Sequence, residues 1–176
     1  YITTFTYNTK GQVLSIDGPL SGTGDTTSFT YDAVTGDLLS ITRPIIGATT
    51  FSDYDNAGQV GLKTDVNGQS ESFTYDGKGR VIVITNNADD SSSSVVYNNA
   101  GLPALRTDED GVDSSFEYDA VYGRLFKRFD HEGKYIQYNY DSQGNRVEKG
   151  YYDPSDTRTN RKRYQYQAPA HNMPVL

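Results

Sequence analysis

The chain has 176 residues, a net charge of −7 and no cysteine. That length fits one ordinary domain. The lack of cysteine excludes disulfides and thiol chemistry, and the negative balance argues against nucleic-acid binding, which needs a basic surface. No run of 18 apolar residues is present to span a membrane. Only 35% of the residues are apolar, but 15 are tyrosine. Those apolar residues are patterned rather than scattered. A chain rich in tyrosine and poor in leucine predicts thin layers instead of a deep core.

The predicted elements repeat along the chain. An extended stretch ends in Phe5-Thr6-Tyr7, turns at Gly11 and returns through Val13-Leu14-Ser15-Ile16. A loose link, residues 17–27, leads to Phe29-Thr30-Tyr31, a corner ending at Gly36 and the return Leu38-Leu39-Ser40-Ile41. Tyr54 and Gly58 mark a third copy, followed by the link Asp65-Val66-Asn67-Gly68. The fourth is the most regular: Phe73-Thr74-Tyr75, Asp76-Gly77-Lys78-Gly79 and Val81-Ile82-Val83-Ile84. A second loose link, residues 86–94, precedes Val95, Tyr97 and Gly101. Phe116, Tyr118 and Gly123 form the sixth copy and Tyr138, Tyr140 and Gly144 the seventh, with links at Asp108–Gly111 and Asp130–Gly133. The seven tyrosines are spaced 24, 23, 21, 22, 21 and 22 residues apart. Such a period marks a repeat architecture.

Within a copy, residues i and i+2 of a strand share a face, so Phe73 and Tyr75 point together and Thr74 points away. The apolar residues of the return strands fall on both faces; a β-bulge at the glycine would shift the register by one. Asp32, Asp55, Asp76, Asp119 and Asp141 follow their tyrosines, and Asn8 and Asn98 stand in the other two copies. Asp at the first position of a turn accepts bonds from backbone donors ahead of it, and the closing glycine tolerates positive φ. The second and sixth corners carry one additional residue. The predicted fold is all-β: a ribbon of antiparallel hairpins, about two strands per 21–24-residue repeat. Residues 1–150 hold seven repeats; residues 151–176 hold a degenerate repeat strand, with "RYQYQ" (163–167) read as extended, and a Pro-containing tail. Each tyrosine ring is expected to stack near its equivalent in the next copy, its hydroxyl bonding a neighbouring turn. The absence of an initial Met suggests a fragment of a longer protein.

The motif Tyr-Asp-x-x-Gly-Arg/Gln-Val/Leu, most literal at Tyr75-Asp76-Gly77-Lys78-Gly79-Arg80-Val81, resembles the YD repeat, also called the Rhs repeat. The resemblance covers roughly residues 2–150. The family includes bacterial Rhs polymorphic toxins, wall-associated proteins, toxin-complex C components and teneurins. It implies a continuous ribbon of hairpins that spirals into a shell, which in toxin members encloses a C-terminal cargo. The acidic self-cleavage motif of those members is not recognisable; Asp153-Pro154 is an isolated dipeptide.

No catalytic, cofactor or metal residues stand out. His131 and His171 have no accompanying nucleophile or base motif. Asp65–Gly68 and Asp108–Gly111 echo part of a calcium loop without its full Asp run or distant Glu, and the repeated turn accounts for the same residues. Arg158, Arg161, Lys162 and Arg163 read as a solvated strand flank. The expected function is a non-enzymatic wall of an extracellular or cell-surface bacterial protein, enclosing or presenting a C-terminal toxin. Its partners are flanking repeats or neighbouring copies joined through strand edges. Two alternatives are a filament subunit assembled through those edges and a module binding surface glycans.

Overall fold

The computed structural model describes residues 2–166. Among them every regular element is a strand, and strand order equals chain order from the first strand to the fifteenth. The chain forms two compact units, one through Ser94 and one from Val95. The first contains β1 (Thr4–Tyr7), β2 (Val13–Asp17), β3 (Thr27–Tyr31), β4 (Leu38–Arg43), β5 (Gly47–Ser52), β6 (Leu62–Thr64), β7 (Ser70–Tyr75) and β8 (Val81–Asn86). β9 (Ser92–Tyr97) contributes its first three residues to that unit and its last three to the second. The second continues with β10 (Pro103–Thr107), β11 (Asp113–Tyr118), β12 (Leu125–Phe129), β13 (Tyr135–Tyr140), β14 (Arg146–Tyr152) and β15 (Arg158–Arg163).

The two-strand period has a direct cause. Short β-branched and aromatic runs suit a pleated surface, and Asp-x-x-Gly or a close variant reverses the chain after the repeat tyrosines and at the links Asp65–Gly68, Asp108–Gly111 and Asp130–Gly133. The pairing is antiparallel, with a one-residue register shift at the tyrosine in five hairpins. In the fourth copy Thr74 faces Val83 and Tyr75 faces Val81, which leaves Ile82 unpaired. Leu14, Leu39, Phe126 and Val147 are skipped in the same way. The bulge therefore lies three residues past the glycine, not at it. It explains why apolar residues of the return strand fall at positions of both parities.

In the first unit the two faces differ chemically. One carries the rings and their apolar partners, Phe29 opposite Ile41, Phe73 opposite Ile84 and Tyr75 opposite Val81. The other carries hydroxyls: Thr30, Ser40, Thr50, Thr64 and Ser70 form one continuous row across β3 to β7. Thr30 Oγ1 and Ser40 Oγ lie 2.6 Å apart, as do Thr6 Oγ1 and Ser15 Oγ. Cross-strand pairs of this kind each stabilise a sheet by roughly 0.2–1 kcal/mol. Burial is shallow throughout. Among the described residues Tyr135 is the single buried large side chain, 7% exposed, as the thin-layer reading predicts.

The third copy departs from the rest. Its strand carries Phe51 three residues before Tyr54 rather than two, and Ser52 pairs with Leu62. Asp53 is the additional residue, held at φ 56°. Gly61 lies against it, bonded through its N–H to the Ser52 carbonyl at 3.2 Å.

The end of the second unit also differs from expectation. The last strand is Arg158–Arg163, upstream of the expected extended segment, so Arg158, Arg161, Lys162 and Arg163 belong to the strand itself. Glu148, on β14, pairs with Arg163 at 2.9 Å and Arg158 at 3.5 Å. Tyr152-Asp153-Pro154-Ser155-Asp156 forms a complete corner. Asp156 adopts φ 65° where the other corners have glycine, and Thr159 is the bulged residue beyond it.

Candidate functional site

The candidate site is the corner, repeated along the chain. In the fourth copy Asp76 Oδ1 accepts from Lys78 N at 2.9 Å and Arg80 N at 3.0 Å. The backbone closes the same turn: Asp76 N–H donates to the Arg80 carbonyl and Gly79 N–H to the Asp76 carbonyl, both at 2.9 Å. Gly79 has φ 79°, a conformation that a side chain would strain. Asp55 and Asp141 bind their turns identically, with Gly58 at φ 77° and Gly144 at 87°. Asn8 and Asn98 do the same through their amide oxygens, closing at Gly11 and Gly101. In the two lengthened corners Asp32 Oδ1 takes Val34 N and Thr35 N, and Asp119 Oδ1 takes Val121 N and Tyr122 N. Gly36 and Gly123 close them by bonding the Asp carbonyl at 3.0 Å. The link corners at Asp65, Asp108, Asp130 and Asp153 use the same pair of side-chain bonds.

The tyrosines connect one corner to the previous one. Tyr54 Oη donates to the Leu38 carbonyl at 2.6 Å, and Tyr75, Tyr118 and Tyr140 donate to the carbonyls of Val60, Pro103 and Leu125, each at 2.8 Å. Each acceptor lies two residues past the glycine of the preceding corner. The expected hydroxyl-to-turn bond is present. The hydroxyl bond, not a ring-on-ring contact, is what ties Tyr54, Tyr75, Tyr118 and Tyr140 to the preceding corner. The rings that pair are Phe129 with Tyr135 and Tyr135 with Tyr152 in the second unit, and neither pair includes Tyr118 or Tyr140. One repeat ring meets a cation: the Arg124 guanidinium lies 4.7 Å from the Tyr140 centroid. Arg124 Nε in turn donates to Asp119 Oδ2 at 2.9 Å. Asp, Arg and the next Tyr thus form one bracket. The residue after the glycine was legible as part of the motif, but its reach to the following tyrosine requires the spatial neighbour. Tyr166 donates to the Arg146 carbonyl at 3.1 Å, two residues past Gly144, and occupies the same role in an eighth place.

Replacing Tyr75 with phenylalanine removes one such bond and is expected to cost about 1 kcal/mol. Tyr75→Ala, which also removes the ring, should lower the melting temperature further and well beyond Thr74→Ala. Equal melting of the two alanine variants would contradict the role of the ring.

Electrostatics follow from the same bonds. Asp76 is pushed down from 3.8 to about 2 by the Arg80 side chain first, then by backbone N–H donors. Asp32 and Asp119 are lowered chiefly by backbone N–H groups of Thr35 and Tyr122, and Asp141 by the Asn145 side chain. A folded value below the unfolded one gives stability that is complete above about pH 4 and lost as pH falls through the folded value, about 2 for Asp76. Burial pushes Tyr54, Tyr75, Tyr118 and Tyr140 above 10. Their contribution is complete below pH 10 and lost as pH rises past the folded values. Melting temperature against pH should therefore be a plateau falling at both ends. Asp76→Asn should reduce the acid fall; an unchanged acid limb in that variant would refute the assignment.

Among the described residues no group of three or more His, Asp or Glu side chains converges as a metal site. His131 stands in the Asp130–Gly133 link corner, and His171 lies outside the described residues. No helix is long and apolar enough to cross a membrane.

Corners of one chemistry, joined by tyrosine hydroxyls along consecutive antiparallel strands, define a repetitive β-scaffold. The family described as Teneurin YD-shell matches residues 1–167, and the chain belongs to this YD-repeat family, whose members use such segments as shell structure. No curated protein matches it. Among solved structures it is similar to the TcdB2–TccC3 crystal structure, at TM-score 0.72 and 16% identity over 94% of this chain and 10% of that one. It is similar to the TcdB2–TccC3–Cdc42 crystal structure at TM-score 0.71 and 15% identity, and to the Photorhabdus luminescens Tc holotoxin pore with a TccC3 variant at 0.71 and 16%, with the same coverage. At such identities the likeness shows the fold. The chain spans about a tenth of the length of these structures' chains.

Proposed function

We propose that this chain is a non-enzymatic wall segment of a secreted or cell-surface bacterial protein, and that the wall encloses or presents a C-terminal toxin or effector. The supporting observation is the tyrosine bond from the third, fourth, sixth and seventh corners to the corner before each. That contact is local and directional, so copies add without a new core, as in nearest-neighbour repeat arrays. The division into seven repeats over residues 1–150 and a degenerate copy over 151–176 is part of this proposal; Tyr166 at the Arg146 carbonyl supports it. The repeat residues act as structural fasteners, and flanking repeats are the expected partners along the strand edges.

Electron microscopy of the native full-length protein tests the reading. Hollow, walled particles with density inside are expected. Fibres that lengthen with concentration would replace it with edge-to-edge assembly, and a solid particle without a lumen would overturn it.

A further inference from the structure

We propose that the ring face of β12 to β15 binds a short acidic segment of a partner polypeptide. These four strands contain eight Lys and Arg side chains and one carboxylate, Glu148. Glu148 stands in register with Asn139 and Arg163, on the face away from Tyr138, and there it pairs with Arg163 and Arg158. The ring face of the same strands carries Arg128, Arg146, Lys149 and Lys162. Their registers place them: Arg128 opposite Ile136, Arg146 opposite Tyr140, and Lys149 opposite both Tyr138 and Lys162. No strand residue on this face is acidic, and among the described residues none of the four cations has a carboxylate partner.

Two independent observations point to an anion from outside the chain. The first is the pairing of Lys149 with Lys162 across neighbouring strands. Like charges placed directly opposite destabilise a sheet, and Arg146 adds a third cation on the same face. Losing a proton does not relieve the pair, because the Tyr151 side chain pushes Lys149 above its ordinary value. The second is that the cations are held on rings. The Arg146 guanidinium lies 4.9 Å from the Tyr164 centroid and 5.6 Å from that of Tyr138. The Lys162 ammonium is 5.4 Å from Tyr164 and the Lys149 ammonium 4.9 Å from Tyr151. Such contacts fix a cation but supply no countercharge. An anion over Lys149 and Lys162 turns a repulsive pair into a bridged one.

The surroundings select the kind of anion by charge. Asp119 and Asp141 begin the corners at one end of these strands, and Asp130 and Asp153 those at the other. The basic field is therefore bounded by carboxylates and is about as long as one strand, roughly 20 Å. A nucleic acid or an anionic membrane carries charge well past that length. It would meet the acidic corners of a chain whose net charge is −7, where phosphate binding needs an extended basic surface. A few glutamate or aspartate side chains match the field, and their methylenes can lie on the Tyr138, Tyr151 and Tyr164 rings.

The test is nuclear magnetic resonance on the whole chain, titrated with a blocked pentapeptide alternating glutamate and threonine and with its glutamine counterpart. A short oligothymidylate and phosphatidylserine vesicles, the latter followed by co-sedimentation, serve as the other anions. Saturable shifts of the Tyr138, Tyr151 and Tyr164 ring signals are expected with the glutamate peptide, with affinity roughly tenfold lower for the glutamine peptide. Lys162→Gln should weaken the glutamate peptide by roughly threefold. Without peptide the same variant should melt at a higher temperature than the native chain, because the like-charge pair is gone. Arg161→Gln makes the same charge change on the opposite face of β15, where Arg161 stands in register with Gly150, and should leave peptide affinity unchanged. Equal binding of the two peptides, tighter binding of oligothymidylate or vesicles, a lower melting temperature in Lys162→Gln, or equal weakening by Arg161→Gln would each overturn the proposal. Because the readout is local to one sheet face, failure of the shell reading leaves it intact.

Discussion

Gly61→Ala is expected to destabilise the first unit by roughly 3 kcal/mol. A Cβ at this position would fall inside 3.0 Å of the Asp53 carbonyl oxygen and at 3.0 Å from the Asp53 Cβ. Neither side can yield cheaply. The Gly61 N–H is bonded to the Ser52 carbonyl at 3.2 Å and its carbonyl to Phe73 N at 2.9 Å, which fixes it between β5 and β7. Asp53 is itself held at φ 56°, a region costly for a residue with a side chain. At this chain length the change amounts to a fall of about 6–12 °C in melting temperature. Gly77→Ala is the control. Nothing lies within 4 Å of its Cβ position, so the effect should stay within about 0.5 kcal/mol. Similar melting of the two variants would show that the inserted Asp53 does not pack as described.

The regular corners were legible because their chemistry is local. Tyr75 through Gly79 encode a turn whose donors and acceptor all lie within five residues, so spacing alone locates it. The strands followed from alternation, and the fold class from their period. What escaped depends on neighbours remote in sequence or on a substitution inside the motif. The bulge at Ile82 is set by the pairing of Tyr75 with Val81, and nothing in "VIVI" marks which residue is left out. The signal for the inserted Asp53 was present: Ser52 stands where the other copies have a ring or valine, with Phe51 one place early. The corner at Tyr152-Asp153 was hidden because Asp156 replaces its glycine, although Asp tolerates the left-handed region better than most residues. The spacing of the repeat tyrosines pointed to ring stacking, but it could not show where their hydroxyls go. The hydroxyls of Tyr54, Tyr75, Tyr118 and Tyr140 are drawn to a backbone carbonyl in the preceding corner, and in the bracket at Tyr140 an arginine covers the ring.

Tyr135→Ala is expected to be the most damaging substitution in the second unit, at roughly 3 kcal/mol, the low end of the range for aromatic truncation because one side of the sheet faces water. Its ring stacks on Tyr152 at 4.7 Å and 4°, leans on Phe129 at 5.1 Å, and carries the Lys127 ammonium 4.4 Å from its centroid. Gly150 makes room for this cluster: a Cβ there would sit 2.8 Å from the Tyr152 ring. The hydroxyl bonds Asp156 Oδ1, the residue held at φ 65°. Ring and corner are therefore coupled, and the coupling fixes a sign. In the native background Asp156→Gly relieves the left-handed backbone but loses the bond, so the two effects largely offset. In Tyr135→Phe the bond is already gone, and the same substitution should stabilise by about 1 kcal/mol. A thermal-melt double-mutant cycle measures the difference. Additive effects of the two changes would mean that Tyr135 supports the cluster through its ring alone.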